Sequence, residues 1–520
     1  MNSTPLQAVL LAVALAAIVL GAIRWLRVAQ REHYLAGSVM RFARRWWSLG
    51  PNRLLGAAAV VGLIGAAAKI VPAGIVAAAA VACGPLGLTL RGRSSPLRWT
   101  SRLRTLAAVV AGFIVLVLAA AALAGGLWLT ADVATLLAVI LPLLVDGGLA
   151  VTAPLQRRLG RPFIDKAKAK LGTVHPKVVA ITGSYGKTTT KGYVAHLVAA
   201  NLSVVPSPRS FNNQTGLAKA INENLVPGTD VFVAEMGTYG PGEIADMCSW
   251  IRPDIAVITS IGPVHLERMG SEERIAAAKS EILGSAAVMV LNVDSPWLAA
   301  IADREMAVGH RVRRCSASDR TADVCVVADD DVLRVFVAAP GAPTGQEVAS
   351  ATGLDAEATN VACAVAVALE LGVAPGEIAR RLPGLPTAPS RRQVATTRSG
   401  ATVIDDTYNA NPAGAASALE LLARLSGNGH RRVVVTPGMV ELGMRQESEN
   451  ADFAAAAASV ATDVVVVGQT NARALVAGSR GGRATVVRVS TREQAVAWVS
   501  EHAGTGDVVL YENDLPDHFP

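Results

Sequence analysis

The sequence predicts an α/β protein behind a multi-span helical membrane domain, on three observations. Five apolar stretches crowd the first 152 residues, short β-branched runs alternate with amphipathic helical patterns from about residue 170, and residues 178–194 read VVAITGSYGKTTTKGYV. The last run is a strand, a glycine-punctuated loop and a helix start in that order. A multi-span domain over 1–152, a linker over 153–176, a central nucleotide-binding domain with a mostly parallel sheet over 177–385 and a C-terminal Rossmann-like α/β domain over 386–520 are therefore expected.

The apolar stretches lie near 6–23, 54–70, 73–90, 106–129 and 133–151. Each is about long enough to cross a hydrocarbon core of roughly 30 Å as a helix. The second and third are alanine-rich and separated only by Val71 and Pro72, so they read as two short spans or as one re-entrant hairpin. The first is expected to be an anchor and not a cleaved leader, because its basic residues follow the apolar run. Arginines set the orientation: Arg24, Arg27, Arg31, Arg41, Arg44, Arg45 and Arg53 follow the first stretch, Arg91, Arg93, Arg98, Arg102 and Arg104 precede the fourth, and Arg157, Arg158 and Arg161 follow the fifth. Loops rich in arginine stay cytoplasmic, which puts the N-terminus outside and everything after residue 152 inside, where ATP is available.

The net charge of +7 comes mostly from these arginines and points to anionic lipid headgroups; no basic-aromatic motif for nucleic acid appears. Mean hydropathy is +0.39. Five cysteines without a CxxC pair read as reduced packing residues with no zinc site. Asp146, near the inner end of the fifth stretch, is explained by interfacial solvation as well as by function.

Strands are expected at 178–182, 231–236, 254–259 and 287–292, and in a second series as ATVID, RRVVVT, DVVVV, TVVRV and DVVLY; GLPTAPSRR at 384–392 reads as a hinge between the two series. The loop Gly183, Ser184, Tyr185 and Gly186, with Lys187, Thr188 and Thr189, is a nucleotide-phosphate cradle. Its glycines let successive N–H groups point at phosphate oxygens, and the next helix adds its positive end. Lys187 offers a point charge for the terminal phosphates, and Thr188 offers the hydroxyl that a phosphate-bound Mg²⁺ takes as ligand.

The chain has only nine lysines and none after Lys279, although arginine is plentiful. Charge alone is evidently met by arginine, so Lys187 and Lys279 mark places where guanidinium does not substitute. An amine reacts with CO₂ to give a carbamate, a carboxylate-like metal ligand, which an always-protonated guanidinium cannot do. A solvated helix lysine is the plainer reading of AAAKSEIL. The company of Lys279 favours the first: Glu235 ends one predicted strand and His265 follows another, and ligands of open α/β sheets bind outside such strand ends. Glu235 can share the cation held by Thr188, while His265 and a modified Lys279 can hold a second, so that two ions neutralise charge during phosphoryl transfer. Singly, His265 reads equally as a hydrogen-bonded loop residue and Glu235 as a helix cap.

In this order the motifs resemble the Mur ligase family over about residues 170–520. TGSYGKTTT is similar to the family's ATP loop, and SFNNQTG, AEMG, DIAVITSIGPVHLERMGSEERIAAAKSEI and LNVD follow in family order; IDDTYNANPAGAASALELLA and GMVELG resemble the C-terminal half of the MurF type, which adds D-alanyl-D-alanine to a peptidoglycan precursor. The resemblance implies an amide ligase that phosphorylates a carboxylate with ATP, an amine then attacking the acyl phosphate. It implies that Lys187 stabilises the transferred phosphoryl group, that Thr188 and Glu235 hold one Mg²⁺ and His265 and carbamylated Lys279 another, and that Asn292 contacts adenine and Asp406 ribose. Arg391, or Arg392 one register on, would reach the γ-phosphate. Asn212, Asn213 and Thr215 would face the acyl substrate, unless they form only a polar loop.

Three departures concern the substrate. Apolar helices stand where the family has its uridine-diphosphate domain, Ala356 and Glu357 replace a His-Asn pair ahead of Asn360, and LYENDLPDHFP replaces a lysine-containing C-terminal motif. The expected function is a ligase of cell-wall precursor synthesis in the bacterial inner membrane, acting on a carboxylate-bearing precursor, lipid-linked or UDP-linked, and an amino-acid or dipeptide amine. The alternatives are a ligase for another polymer such as poly-γ-glutamate, or a membrane P-loop ATPase that forms no bond.

Overall fold

A computed structural model describes residues 4–92, 96–208, 211–329, 331–339, 342–354, 356–386, 393–407, 411–427, 429–516, 518 and 519. The chain forms two compact units, one of Met1–Leu159 with Gly468–Thr470 and Asp514–Pro520, the other of Gly160–Val467 with Asn471–Asn513.

The first unit is helical: α1 (Thr4–Arg31), α2 (Ser38–Trp47), α3 (Asn52–Ala67), α4 (Val71–Cys83), α5 (Ser101–Val139) and the start of α6 (Leu141–Val174). Among the described residues two helices, α1 and α5, are long and apolar enough to cross a membrane. The five-span expectation is corrected here. α3 and α4 have 16 and 13 residues, about 24 and 20 Å at 1.5 Å per residue, short of a hydrocarbon core. They pack on each other as a hairpin through small residues. A Cβ on Gly62 would lie 2.5 Å from the Ala73 carbonyl oxygen and one on Gly65 2.5 Å from the Ala73 methyl, so the close approach requires glycine.

α5 is broken at Gly126, whose φ of 60° and ψ of −150° are open only to glycine. Beyond the break the chain returns, because Gly148 of α6 sits against Leu106 and Val110, where a Cβ would come within 3.0 and 2.8 Å of their side chains. The two arms from Gly126 to Leu106 and to Gly148 are nearly equal, so the fourth and fifth apolar stretches form an antiparallel pair. Asp146 accepts from the backbone N–H groups of Gly37 (2.9 Å), Val39 (3.2 Å) and Met40 (2.7 Å). It compensates the N-terminus of α2, a helix with Phe42 and Trp46 buried on one face and Arg44 exposed. The C-terminal tail belongs to this unit as well: the Trp46 indole donates to the His518 carbonyl (2.8 Å), His518 Nε2 pairs with Glu32 (3.0 Å), and the Phe42 and Phe519 rings meet edge-on at 4.9 Å. Most of the segment expected as a linker, 153–176, is helix, since α6 runs to Val174 through the strong helix formers of DKAKAKL.

The second unit holds two sheets. The first runs through β1 (Lys177–Thr182), α7 (Lys187–Val198), β2 (Val204–Pro206), α8 (Gln214–Asn224), β3 (Val231–Glu235), α9 (Glu243–Ile251), β4 (Ile255–Ile258), α10 (Leu266–Met269), α11 (Glu272–Ser280), β5 (Val288–Asn292), α12 (Pro296–Ala307), β6 (Arg311–Ser316), β7 (Val324–Asp329), β8 (Val332–Val337), β9 (Gln346–Thr352) and α13 (Ala358–Glu370). Its order is β2-β3-β1-β4-β5-β6-β7-β8-β9, parallel up to β7 and antiparallel beyond. The strands β1, β3, β4 and β5 are Val/Ile-rich and buried on both faces, as a helix-covered parallel sheet demands. The antiparallel extension was not read from the sequence. β1 lies between β3 and β4, so successive crossovers leave it in opposite directions and open a crevice at its C-terminal end.

After α14 (Pro375–Arg381) the second sheet comprises β10 (Gln393–Thr396), β11 (Thr402–Asp406), α15 (Pro412–Leu425), β12 (Arg432–Thr436), α16 (Gln446–Val460), β13 (Asp463–Val467), α17 (Ala472–Ser479), β14 (Thr485–Val489), α18 (Arg492–His502) and β15 (Val508–Glu512). Its order is β10-β11-β15-β12-β13-β14, parallel except for β10. The five expected C-terminal strands are β11 to β15.

Candidate functional site

The crevice at the end of β1 is lined by the residues between β1 and α7. Gly183 has φ 153° and Gly186 φ 79°, and neither tolerates a side chain: a Cβ on Gly183 would lie 2.0 Å from the Thr259 hydroxyl and one on Gly186 2.1 Å from the Asn360 amide oxygen. The segment after β4 fastens the loop. Ser184 N–H donates to the Ser260 carbonyl (2.9 Å), Tyr185 N–H to the Ser260 hydroxyl (2.8 Å), and the Ser184 hydroxyl to the Gly262 carbonyl (3.1 Å). Lys187 opens α7 and its ammonium donates to the loop carbonyls of Gly183 (2.6 Å) and Ser184 (3.3 Å). Thr189 follows, half-buried. Asn360, from α13, accepts from the Thr190 hydroxyl (3.2 Å) and so buttresses the first turn.

Glu235 ends β3, in register with Ile181 of β1. Its Oε2 accepts from the Thr188 hydroxyl and from the Lys191 ammonium, both at 2.9 Å, and its Oε1 from the Asn212 amide at 3.2 Å. Thr188 and Glu235, which the sequence reading expects to share a cation, are brought within hydrogen-bond distance by a helix start and a strand end on neighbouring strands. Lys191 was missed. It lies one turn beyond Lys187 and is a further member of the chain's small lysine set, a signal that applies to it as much as to Lys187. Of the polar loop, Asn212 reaches the site, whereas Asn213 caps α8 by accepting from Gly216 N–H (2.9 Å) and Thr215 is exposed on that helix.

His265 sits at the N-terminus of α10 with φ 59°. Its ring meets Tyr239 edge-on at 4.9 Å, and its Nδ1 bonds the Glu441 carboxylate. Burial, opposed by that carboxylate, holds its imidazole below the usual histidine value. Lys279 lies on α11, 4% exposed. Burial, and then the Lys187 charge, holds its amine well below the usual lysine value. The Lys187 charge acts on Lys279, and the Lys279 charge on His265, so Lys279 of α11 lies between the start of α7 and the turn after β4.

The donor set separates by chemistry. Thr188 and Glu235 present adjacent hard oxygens, which suit Mg²⁺. As an amine Lys279 has no oxygen, and among the described residues no cluster of three or more His, Cys, Asp or Glu side chains is gathered for a metal; a second ion fits here only with a carbamylated lysine. Asn292 ends β5 with its amide nitrogen on the Thr259 carbonyl (2.9 Å) and its amide oxygen on Asp294 N–H (3.1 Å). It braces the segment that holds the phosphate loop, and an adenine contact would have to compete with both bonds. Asp406 is buried at the end of β11 beside Glu512 of β15, in the second sheet. Arg391 and Arg392 lie outside the described residues.

A phosphate loop at the switch point of a parallel sheet, a buried carboxylate and lysine beside it, and a second α/β domain define a two-domain nucleotide-dependent enzyme of the P-loop class. Family models agree: residues 181–368 match the Mur ligase middle domain and residues 390–511 the Mur ligase glutamate ligase domain. The chain is 33% identical over 358 residues to the UDP-N-acetylmuramoyl-tripeptide–D-alanyl-D-alanine ligase of Mycobacterium tuberculosis strain H37Rv, covering 64% of this chain and 69% of that one. It is 37% identical over 265 residues to the ligase of the same name from Mycobacterium leprae, spanning about half the length of each, 48% and 51%. Among solved structures it is similar to MurF from Acinetobacter baumannii (TM-score 0.58, 25% identity, 68% of this chain and 77% of that one). It is also similar to MurF ligase from Thermotoga maritima in complex with ADP (TM-score 0.56, 26% identity, 68% and 80%). The chain belongs to the Mur ligase family, in its MurF-type branch, and is an ATP-dependent ligase of peptidoglycan-precursor synthesis.

Proposed function

We propose that this ligase joins a carboxylate of a muramoyl-peptide precursor to the amine of a D-alanyl-D-alanine-like dipeptide at the inner face of the bacterial membrane, and that its precursor is lipid-linked. The observation that carries the ligase chemistry is the convergence of Lys187, the Thr188–Glu235 pair (2.9 Å) and buried Lys279 at one strand-end crevice. Lys187 neutralises the phosphoryl group as it passes from ATP to the substrate carboxylate. Thr188 and Glu235 hold Mg²⁺; Lys191 and Asn212 keep the Glu235 carboxylate aimed there. The Lys279 amine takes up CO₂, an N–C bond forming as a proton leaves, and with His265 supplies a second ion site. Bound Mg²⁺ would lower the electrostatic cost of bringing two anions together. Asp406 serves the ribose and Arg391 the γ-phosphate, while Asn292 serves the adenine by exchanging one of its two protein hydrogen bonds.

The lipid-linked reading rests on the helices that precede the family-matched residues. Three crossings account for α1 and the two arms around Gly126, with α3 and α4 re-entering from the arginine-rich side. An odd number keeps the N-terminus outside and all three arginine clusters inside. Confinement beside the leaflet raises the effective concentration of a lipid-linked precursor to roughly millimolar. Full-length enzyme in lipid nanodiscs is to be assayed for phosphate release with a panel of carboxylates and amines. Release is expected to require carboxylate and amine together and to be faster with a lipid-linked muramoyl peptide than with the UDP-linked one. Release independent of the amine would reject the ligase reading, and turnover of the UDP-linked precursor alone would reject the lipid-linked one.

A further inference from the structure

The loop that follows β12 carries Glu441, a residue of the GMVELG motif to which no role was given from the sequence. We propose that Glu441 is a positioning residue: closure of the C-terminal domain brings its carboxylate onto His265 and thereby sets the imidazole for the reaction.

Four contacts tie this loop to the segment that bears His265 and leads into the helix of Lys279. One carboxylate oxygen of Glu441 bonds His265 Nδ1, and the other accepts from the Arg268 guanidinium at 2.8 Å. The Glu441 carbonyl accepts from Glu267 N–H at 3.2 Å. Arg445 donates to Glu272, in the first turn of α11, at 2.7 Å. Tyr239 closes the group, with the Arg268 guanidinium over its ring at 4.9 Å and His265 at its edge.

Backbone conformation sets Glu441 apart from an ordinary surface acid. Glu441 and His265 face each other from two domains, and both hold a left-handed conformation, φ 65° and φ 59°, that side-chain-bearing residues rarely adopt. Strain of this kind persists where the surroundings over-determine it, and it clusters at functional sites. A carboxylate on Nδ1 selects the tautomer with its proton there, which leaves the Nε2 lone pair as ligand or base and fixes the ring plane. Arg268 holds the same carboxylate, so the histidine and the arginine are set by one residue. The α11 contact through Arg445 does not touch the imidazole.

The inference rests on the reading of His265 as a group of the reaction centre, and the test separates the two. Full-length Glu441→Ala, Glu441→Gln, Arg445→Ala, His265→Ala and the Glu441→Ala/His265→Ala pair are compared by steady-state phosphate release and by Mn²⁺ titration in the presence of ADP, read by electron paramagnetic resonance. Glu441→Ala is expected to lower kcat about 10- to 100-fold while KM for ATP moves less than about threefold. It is also expected to weaken the second Mn²⁺ about tenfold, with no further weakening in the double variant, as residues acting through one another are non-additive. Glu441→Gln should recover part of the loss, because an amide oxygen still accepts from Nδ1–H. Arg445→Ala should keep kcat within about twofold. Equal losses for Glu441→Ala and Arg445→Ala would show general adhesion between domains and overturn the positioning role, as would additive effects in the double variant. Normal turnover and Mn²⁺ binding in His265→Ala would instead overturn the reading of His265 and the positioning role with it.

Discussion

Lys279 combines two properties that seldom coincide, an amine and nearly complete burial, 4% exposed. A buried ammonium with no carboxylate partner among the described residues is costly, whereas a carbamate would put oxygens at this position. Lys279→Arg keeps a cation and Lys279→Ala removes the side chain; both are expected to lower kcat by on the order of 10²-fold or more, as loss of a metal ligand does. Short carboxylates should partly restore Lys279→Ala and leave Lys279→Arg unaltered. Normal turnover of Lys279→Arg at equal folded protein would rule out the ligand role. Gly186 gives a second test at this scale. Gly186→Ala puts a methyl 2.1 Å from the Asn360 amide oxygen at φ 79°, so ATP binding measured by calorimetry should fall at least tenfold, with about 1–3 kcal/mol of stability lost to backbone strain. The variant Gly186→Ala/Asn360→Ala removes the clash but not the strained φ, and should regain only part of both.

At the scale of elements, the hairpin of α3 and α4 and the return at Gly126 make a topological statement that side-specific chemistry can check. Cys83, at the end of α4, is the exposed one among the five cysteines. A membrane-impermeant maleimide should modify it in inside-out vesicles and spare it in intact cells. A reporter fused at Arg98 should also report the inside, and one inserted at Gly126 the outside. Modification of Cys83 in intact cells would mean that α3 or α4 crosses fully, and the arginine clusters would then fall on both faces. Burial pushes the Cys248 thiol, on α9, up to about 12, so at pH 8 it should resist iodoacetamide until the protein is unfolded.

For the whole molecule, the tail after β15 packs among the N-terminal helices through the buried His518–Glu32 pair (3.0 Å), with Trp46, Phe42 and Phe519 around it. Burial holds the His518 imidazole below the usual histidine value, Glu32 opposing and the Arg31 and Arg27 charges adding to the effect. A depressed folded-state value means that the unfolded state binds more protons at mildly acid pH, so stability rises with pH there. The contribution of this histidine is complete above the unfolded value of about 6.5 and is lost as pH falls through the lower folded value. Thermal midpoints in detergent should therefore fall below pH 6.5 more steeply for the natural chain than for His518→Phe, which removes the titrating group and keeps an aromatic ring. Parallel pH dependence of the two proteins would assign the acid sensitivity elsewhere.

Much of this protein follows from one-dimensional pattern. Parallel strands buried on both faces demand unbroken Val/Ile runs, which is why β1, β3, β4, β5 and the C-terminal strands could be read directly; glycine at left-handed positions, followed by lysine and threonine, marks the phosphate loop for the same local reason. Scarcity of lysine singled out Lys187 and Lys279 for attention, and the structure places Lys187 at the start of α7 and buries Lys279 on α11. The rest depends on positions far apart in sequence. Whether an apolar stretch crosses or doubles back is decided by the break at Gly126 and the close packing of Gly62 and Gly65 on Ala73, since hydropathy reports what a helix avoids and not where it goes. Lys191 on Glu235, Asn360 beneath the loop, Asn213 as a cap and Glu441 on His265 are partnerships made by helices and strands brought side by side. Hydrogen bonds and charges act over a few ångströms of space, and only tertiary structure turns sequence separation into that distance.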